Sequence, residues 1–244
     1  YAGQSGDAMI KATNNLNLGI SGNLMMTSGI NSLTSISGGN VTLASLTNLT
    51  MIAGNNTGRL ADSSILAANN LNIAMSGNLG MSSGTNSATK ISGGNVNLGS
   101  LVNLAMTGGT STGQSADSSI QATNNLTIAM SGNLTMLSGT SSATKISGAD
   151  VTLASLANLD MTAGTFTGLS ADSTIQATNI LNIGMSGNLA LKSGANSATK
   201  IAGANVNLGS LSNLTLTAGN STGQSAYSEI RETNTLNVAL SGAV

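Results

Sequence analysis

Residues 120–136 read IQATNNLTIAMSGNLTM. Leu126, Ile128 and Met130 alternate with Thr127 and Ala129; after a Ser131-Gly132-Asn133 corner, Leu134 and Met136 flank Thr135. Period-two alternation sends one set of side chains to one face of an extended backbone and the intervening set to the other. No 3.6-residue stripe is present, and Gly, Ser, Thr and Asn are poor helix formers at this density. The stretch predicts two short strands joined at a tight corner, each with an apolar face to bury.

The same pattern fills the chain. Met130-Ser131-Gly132-Asn133 recurs as Ile20-Ser21-Gly22-Asn23, Met75-Ser76-Gly77-Asn78 and Met185-Ser186-Gly187-Asn188, always 55 residues on, and Leu240-Ser241-Gly242 keeps the register. Each unit is two similar halves. Ile10, Ile36, Ile65, Ile91, Ile120, Ile146, Ile175, Ile201 and Ile230 are separated alternately by 26 and 29 residues. Between them stands an Asn-Leu marker: Asn23-Leu24, Asn48-Leu49, Asn78-Leu79, Asn103-Leu104, Asn133-Leu134, Asn158-Leu159, Asn188-Leu189 and Asn213-Leu214. Six residues after each Asn is a glycine, at Gly29, Gly54, Gly84, Gly109, Gly139, Gly164, Gly194 and Gly219.

A fixed period of short alternating strands with Gly-rich corners predicts an all-β parallel β-helix, or β-solenoid, of about nine coils in a single domain over residues 1–244. At about 4.8 Å between strands the rod is about 43 Å long. The marker Leu residues and the Met or Leu two positions later are assigned to interior columns. The marker Asn residues are assigned to a corner where stacked amides bond one another, and the glycines to turns with positive φ. An antiparallel sandwich uses similar strands but does not require identical residues at identical positions. A three-chain intertwined β-helix meets the same stacking requirement and stays open at this point.

Composition agrees with a narrow aliphatic core. The chain is 40% hydrophobic but only 1% aromatic and 6% charged, against about 25% charged in typical domains. Net charge is −1, which leaves no basic surface for nucleic acid. No apolar run reaches the roughly 20 residues that span a bilayer. The chain begins at Tyr1, which predicts a processed form or a fragment with any signal outside it.

Catalytic chemistry finds little to use. There is no His and no Cys, hence no imidazole base, thiolate nucleophile or zinc-thiolate site. Asp7, Asp62, Asp117 and Asp172 form a column at every second coil, about 10 Å apart, too far for the carboxylate pair of a retaining hydrolase. Lys90, Lys145 and Lys200 alternate with Ser64, Ser119 and Thr174 one residue before the Ile. This interleaving predicts weak diagonal pairing rather than a calcium column. The expectation is a protein that is not an enzyme and holds no metal or cofactor.

The longer half-repeat carries its additional residues in one loop, 55–64, 110–119, 165–174 and 220–229, on a single edge. Arg59, Gln114, Phe166, Leu169 and Tyr227 make these loops differ from one another, and are the candidate contact residues for a surface glycan or host receptor. An ice-binding Thr-x-Thr face is made only by Thr215 and Thr217, and a polysaccharide-active solenoid lacks aromatic platforms. Neither end of the pattern shows a helix or a charged edge, so self-association by end-to-end stacking, or another homo-oligomer, is expected.

Asn133-Leu134-Thr135-Met136 and Val151-Thr152-Leu153-Ala154-Ser155 resemble the β-solenoid repeats of filamentous-haemagglutinin-like secreted adhesins. There, runs of the form Gly-Asn-Leu-Thr-Leu build long right-handed shafts on bacterial surfaces. The strict period and Met-rich interior depart from that family. The repeats are also similar to shafts of phage tail fibres and spikes, which are often trimeric. The resemblance implies an elongated structural protein at a cell or virion surface.

Overall fold

A computed structural model describes residues 6–58, 61–113, 116–167, 171–222 and 225–241. They form a parallel β-solenoid of about nine coils with no helix among them. Every strand pairing among the described residues is parallel, which removes the antiparallel sandwich, and each coil pairs with the next coil of the same chain.

A coil has three faces. In the fifth they are Ser118–Ala122, Asn125–Met130 and Asn133–Leu137. The first face stacks Ile120 between Ile91 and Ile146. On the second, Val151 stands between Leu126 and Leu181, and Leu153 between Ile128 and Ile183. The third stacks Leu134 between Leu104 and Leu159, and Met136 between Met106 and Met161. These side chains are closed to solvent. Burying each aliphatic group stabilises the chain by about 1.5–3 kcal/mol, and one-residue slippage would turn the whole set outward.

The 26- and 29-residue coils differ in the second-face strand, in the corners on either side of it and in the loop. The longer coil has seven-residue second-face strands, such as Asp150–Leu156, against six residues in Asn125–Met130. The extra residue forms a bulge: Leu153 pairs with Ile183, but Leu156 pairs with Met185. Ser155 takes up the difference at φ 63° and lets Leu156 turn back inward. The extra residue is offset by a corner one residue shorter, Ala157 against Ser131-Gly132; the corner before the second face is also one shorter, and the loop that closes the third face is four longer.

The glycine column corrects the expectation of positive φ. None of Gly29, Gly54, Gly84, Gly109, Gly139, Gly164, Gly194 or Gly219 is left-handed. A Cβ on Gly139 would overlap Gly109 O and stand 2.6 Å from Gly108 O. What glycine supplies there is close approach of backbone to backbone between coils. The left-handed positions belong instead to Asn31, Asn86, Ser141 and Asn196, at φ 53–55°, and to Ser45, Ser100, Ser155 and Ser210, at φ 57–65°.

The ends also depart from expectation. Inward columns reach solvent at both: Ile10 is 46% exposed, Leu236 41% and Leu240 41%. The ninth coil, Tyr227–Leu240, nevertheless carries Glu229, Arg231 and Glu232 on its first face. In a chain with 6% charged residues this is a charged edge.

Candidate functional site

The marker asparagines line the corner between the second and third faces. Across the 25-residue steps, the side-chain amide of one donates to the side-chain oxygen of the previous one: Asn48 to Asn23, Asn103 to Asn78 and Asn158 to Asn133 at 2.9 Å, and Asn213 to Asn188 at 2.7 Å. Across the 30-residue steps Oδ1 of Asn48, Asn103 and Asn158 accepts a backbone N–H instead, from Asn78, Asn133 and Asn188, at 2.8–2.9 Å. One ladder therefore uses two rungs in strict alternation. Inside it, Leu49, Leu79, Leu104, Leu134, Leu159 and Leu189 are buried, Leu24 is half-buried, and Leu214, in the last stacked third-face strand, is 36% exposed.

A second ladder lies at the corner between the first and second faces. Asn40 donates to Asn15 at 2.9 Å, Asn70 to Asn40 at 3.1 Å and Asn95 to Asn70 at 2.9 Å. Sequence reasoning missed it, although these asparagines keep the same 25 and 30 spacing.

The third corner, where the loops project, is hydroxylated within. Ser138 Oγ lies 3.0 Å from Thr144 Oγ1, which donates to Ser173 Oγ at 3.0 Å; Ser83, Thr89 and Ser118 repeat the arrangement. These hydroxyls are buried, and no buried side-chain polar atom among the described residues lacks a partner. The detectable signal was a Ser or Thr two residues before nearly every column Ile, from Thr34 to Ser228.

Each projecting loop is pinned at both ends. Asn31 donates through Nδ2 to Thr57 Oγ1 and accepts the Thr57 N–H at Oδ1, both at 2.8 Å. Asn86 with Thr112 and Asn196 with Thr222 do the same, and Ser141 with Thr167 makes a hydroxyl version. Beyond the loop, the aspartates serve the backbone. Asp7, Asp62, Asp117 and Asp172 accept the N–H of Leu33, Ala88, Ala143 and Ala198 at 2.8–2.9 Å. Each of these bonds ties an aspartate to the backbone of the next coil. No group of three potential metal-ligating side chains occurs among the described residues.

Of the candidate contact residues, Arg59, Gln114 and Leu169 lie outside the described residues. Phe166 is half-buried and Tyr227 is 39% exposed. Though 61 positions apart, they line one open cavity of about 310 Å³ with Asp172, Asn196 and Ser197.

On the first face the lysines point outward beside Ile. Lys90 and Lys145 both pair with Ser119, one from either side. An ion pair joins Lys200 Nζ to Glu229, at 3.2 Å, across one coil step. Lys90 and Lys145 border a polar groove of about 390 Å³ with Ser92, Gln121, Thr123 and Ser147. No helix among the described residues is long and apolar enough to cross a membrane. Compared with known proteins, the chain matches no family model, no curated protein and no solved structure.

Proposed function

We propose that the chain is a structural, non-catalytic rod, a segment or subunit of an extracellular filament or adhesin that stacks end to end. The observation that carries this reading is the coil-on-coil pairing itself, which runs without interruption through all the described coils, so that a further coil or a second copy would add in the same register. A strand edge is a template for another strand. The ladders support the same reading: their amides and hydroxyls are engaged in holding coils together and present repeated, rigid edges. Closure of every coil within one chain favours a single-chain shaft over the three-chain helix of a tail fibre or spike.

Negative-stain electron microscopy of the purified chain tests the proposal. Rods about 43 Å long, with end-joined multiples at higher concentration, are expected. Discrete short particles that never elongate sink the stacking part, and particles without an elongated shape sink the rod.

A further inference from the structure

The groove on the first face has a feature that rod-building does not use. Lys90 and Lys145 stand two coil rises apart, about 9.6 Å, with Ser119 between them. Two coils beyond Lys145, Lys200 occupies the same column, and the ninth coil places Glu229 where the third, fifth and seventh coils have Ser64, Ser119 and Thr174. There the carboxylate closes on the ammonium at 3.2 Å. This chain thus displays how a carboxylate seats against this lysine column and leaves the positions beside Lys90 and Lys145 filled by hydroxyls. The neighbouring aspartates do not border the groove, and their Oδ1 atoms accept Ala88 and Ala143 N–H groups.

We infer that this groove binds a linear acidic polysaccharide lying along the rod axis, with carboxylates on successive disaccharides meeting Lys90 and Lys145. A polymer with one carboxylate per disaccharide repeats at about the spacing of the two lysines. Its hydroxyls meet Ser92, Gln121, Thr123 and Ser147, which line the groove between the lysines. A long polymer is required because two partly exposed ion pairs give little affinity singly, and many weak contacts on one chain add by multivalency. The inference rests on the rod reading for its surface setting, but not on end-to-end stacking.

The test uses the full chain with hyaluronan, alternating glucuronate and N-acetylglucosamine, as the probe, and dextran as the uncharged control. Binding to hyaluronan at low salt, falling steeply as salt rises, is expected, with none to dextran. The Lys90→Ser, Lys145→Ser double variant should bind about tenfold more weakly. Ser119→Glu, which copies the Glu229 arrangement between the two lysines, should weaken binding as much. Lys192→Ser, which removes a charge from the third face, should leave binding unchanged. Absence of hyaluronan binding, equal binding by the double variant, or equal weakening by Lys192→Ser overturns the inference. Microscopy of the same samples separates the two failures: intact rods that do not bind leave the structural reading standing, whereas samples without rods remove both.

Discussion

At the scale of single residues, the serines at the bulge are the most exposed to a simple test. A left-handed L-residue costs roughly 1–2 kcal/mol, whereas glycine adopts that conformation freely but adds about 0.5–1 kcal/mol of unfolded-state entropy. Ser155 is solvent-exposed at φ 63°. Ser155→Gly should therefore stabilise the chain by about 0.5–1 kcal/mol, read as a higher urea midpoint at unchanged slope. A lower midpoint would mean that the serine hydroxyl holds the bulge. Residue-scale legibility follows from what a position responds to. Leu134 and Met136 could be assigned inward because alternation is local. The glycine conformations could not, because the clash at Gly139 is with Gly109, a residue of the coil below. Ser138 and Thr144 were legible in principle, but a hydroxyl column looks like solvated polarity until the corner is seen to close over it.

At the scale of the coil, the fold depends on how closely neighbouring backbones approach, and two glycines at the third face, one in the third coil and one in the fifth, separate that effect from ordinary alanine substitution. A Cβ on Gly139 runs into fixed backbone, whereas one on Gly80 meets nothing within 4 Å, and Ala105 and Ala190 already occupy the Gly80 column. Gly139→Ala should destabilise by about 1–3 kcal/mol; Gly80→Ala should be neutral or stabilise by up to about 1 kcal/mol. Equal effects in thermal unfolding would show that the stack tolerates local spreading. Tolerance does exist elsewhere, because Ala149 replaces glycine at the position of Gly39 and Gly94 and donates its N–H to Asn124 O at 2.8 Å, a carbonyl position that in the glycine coils accepts from Asn40 or Asn95. Coil length and the asparagine corner were readable from spacing, but the strand around each column Ile, the third of the coil, was not assigned. The second asparagine ladder keeps the same 25- and 30-residue spacing and was overlooked rather than hidden, whereas the loop clamps were not readable, because unlike residues 26 apart become partners only after winding.

At the scale of the whole rod, joining two copies with columns in register sets Ile230 over Ile10. The same register places Arg231 over Lys11 and Tyr227 over Asp7. Like charges directly opposed across strands destabilise the pairing by several tenths of a kcal/mol. Elongation should therefore be favoured by salt, and Arg231→Ser should lower the concentration at which end-joined rods appear in light scattering. A variant that elongates no better than its parent would show that the joint does not use this register. The alternation of coils carries a further consequence, for inheritance. Aspartates recur on every second coil, and the asparagine ladder switches between two rungs. Loss of a single coil from the gene would set aspartate against aspartate and put two rungs of one kind together. Recombination between repeats can change the rod only by whole blocks of 55 codons, so its length is a copy number, adjustable in steps of about 9.6 Å while every surviving contact keeps its partner.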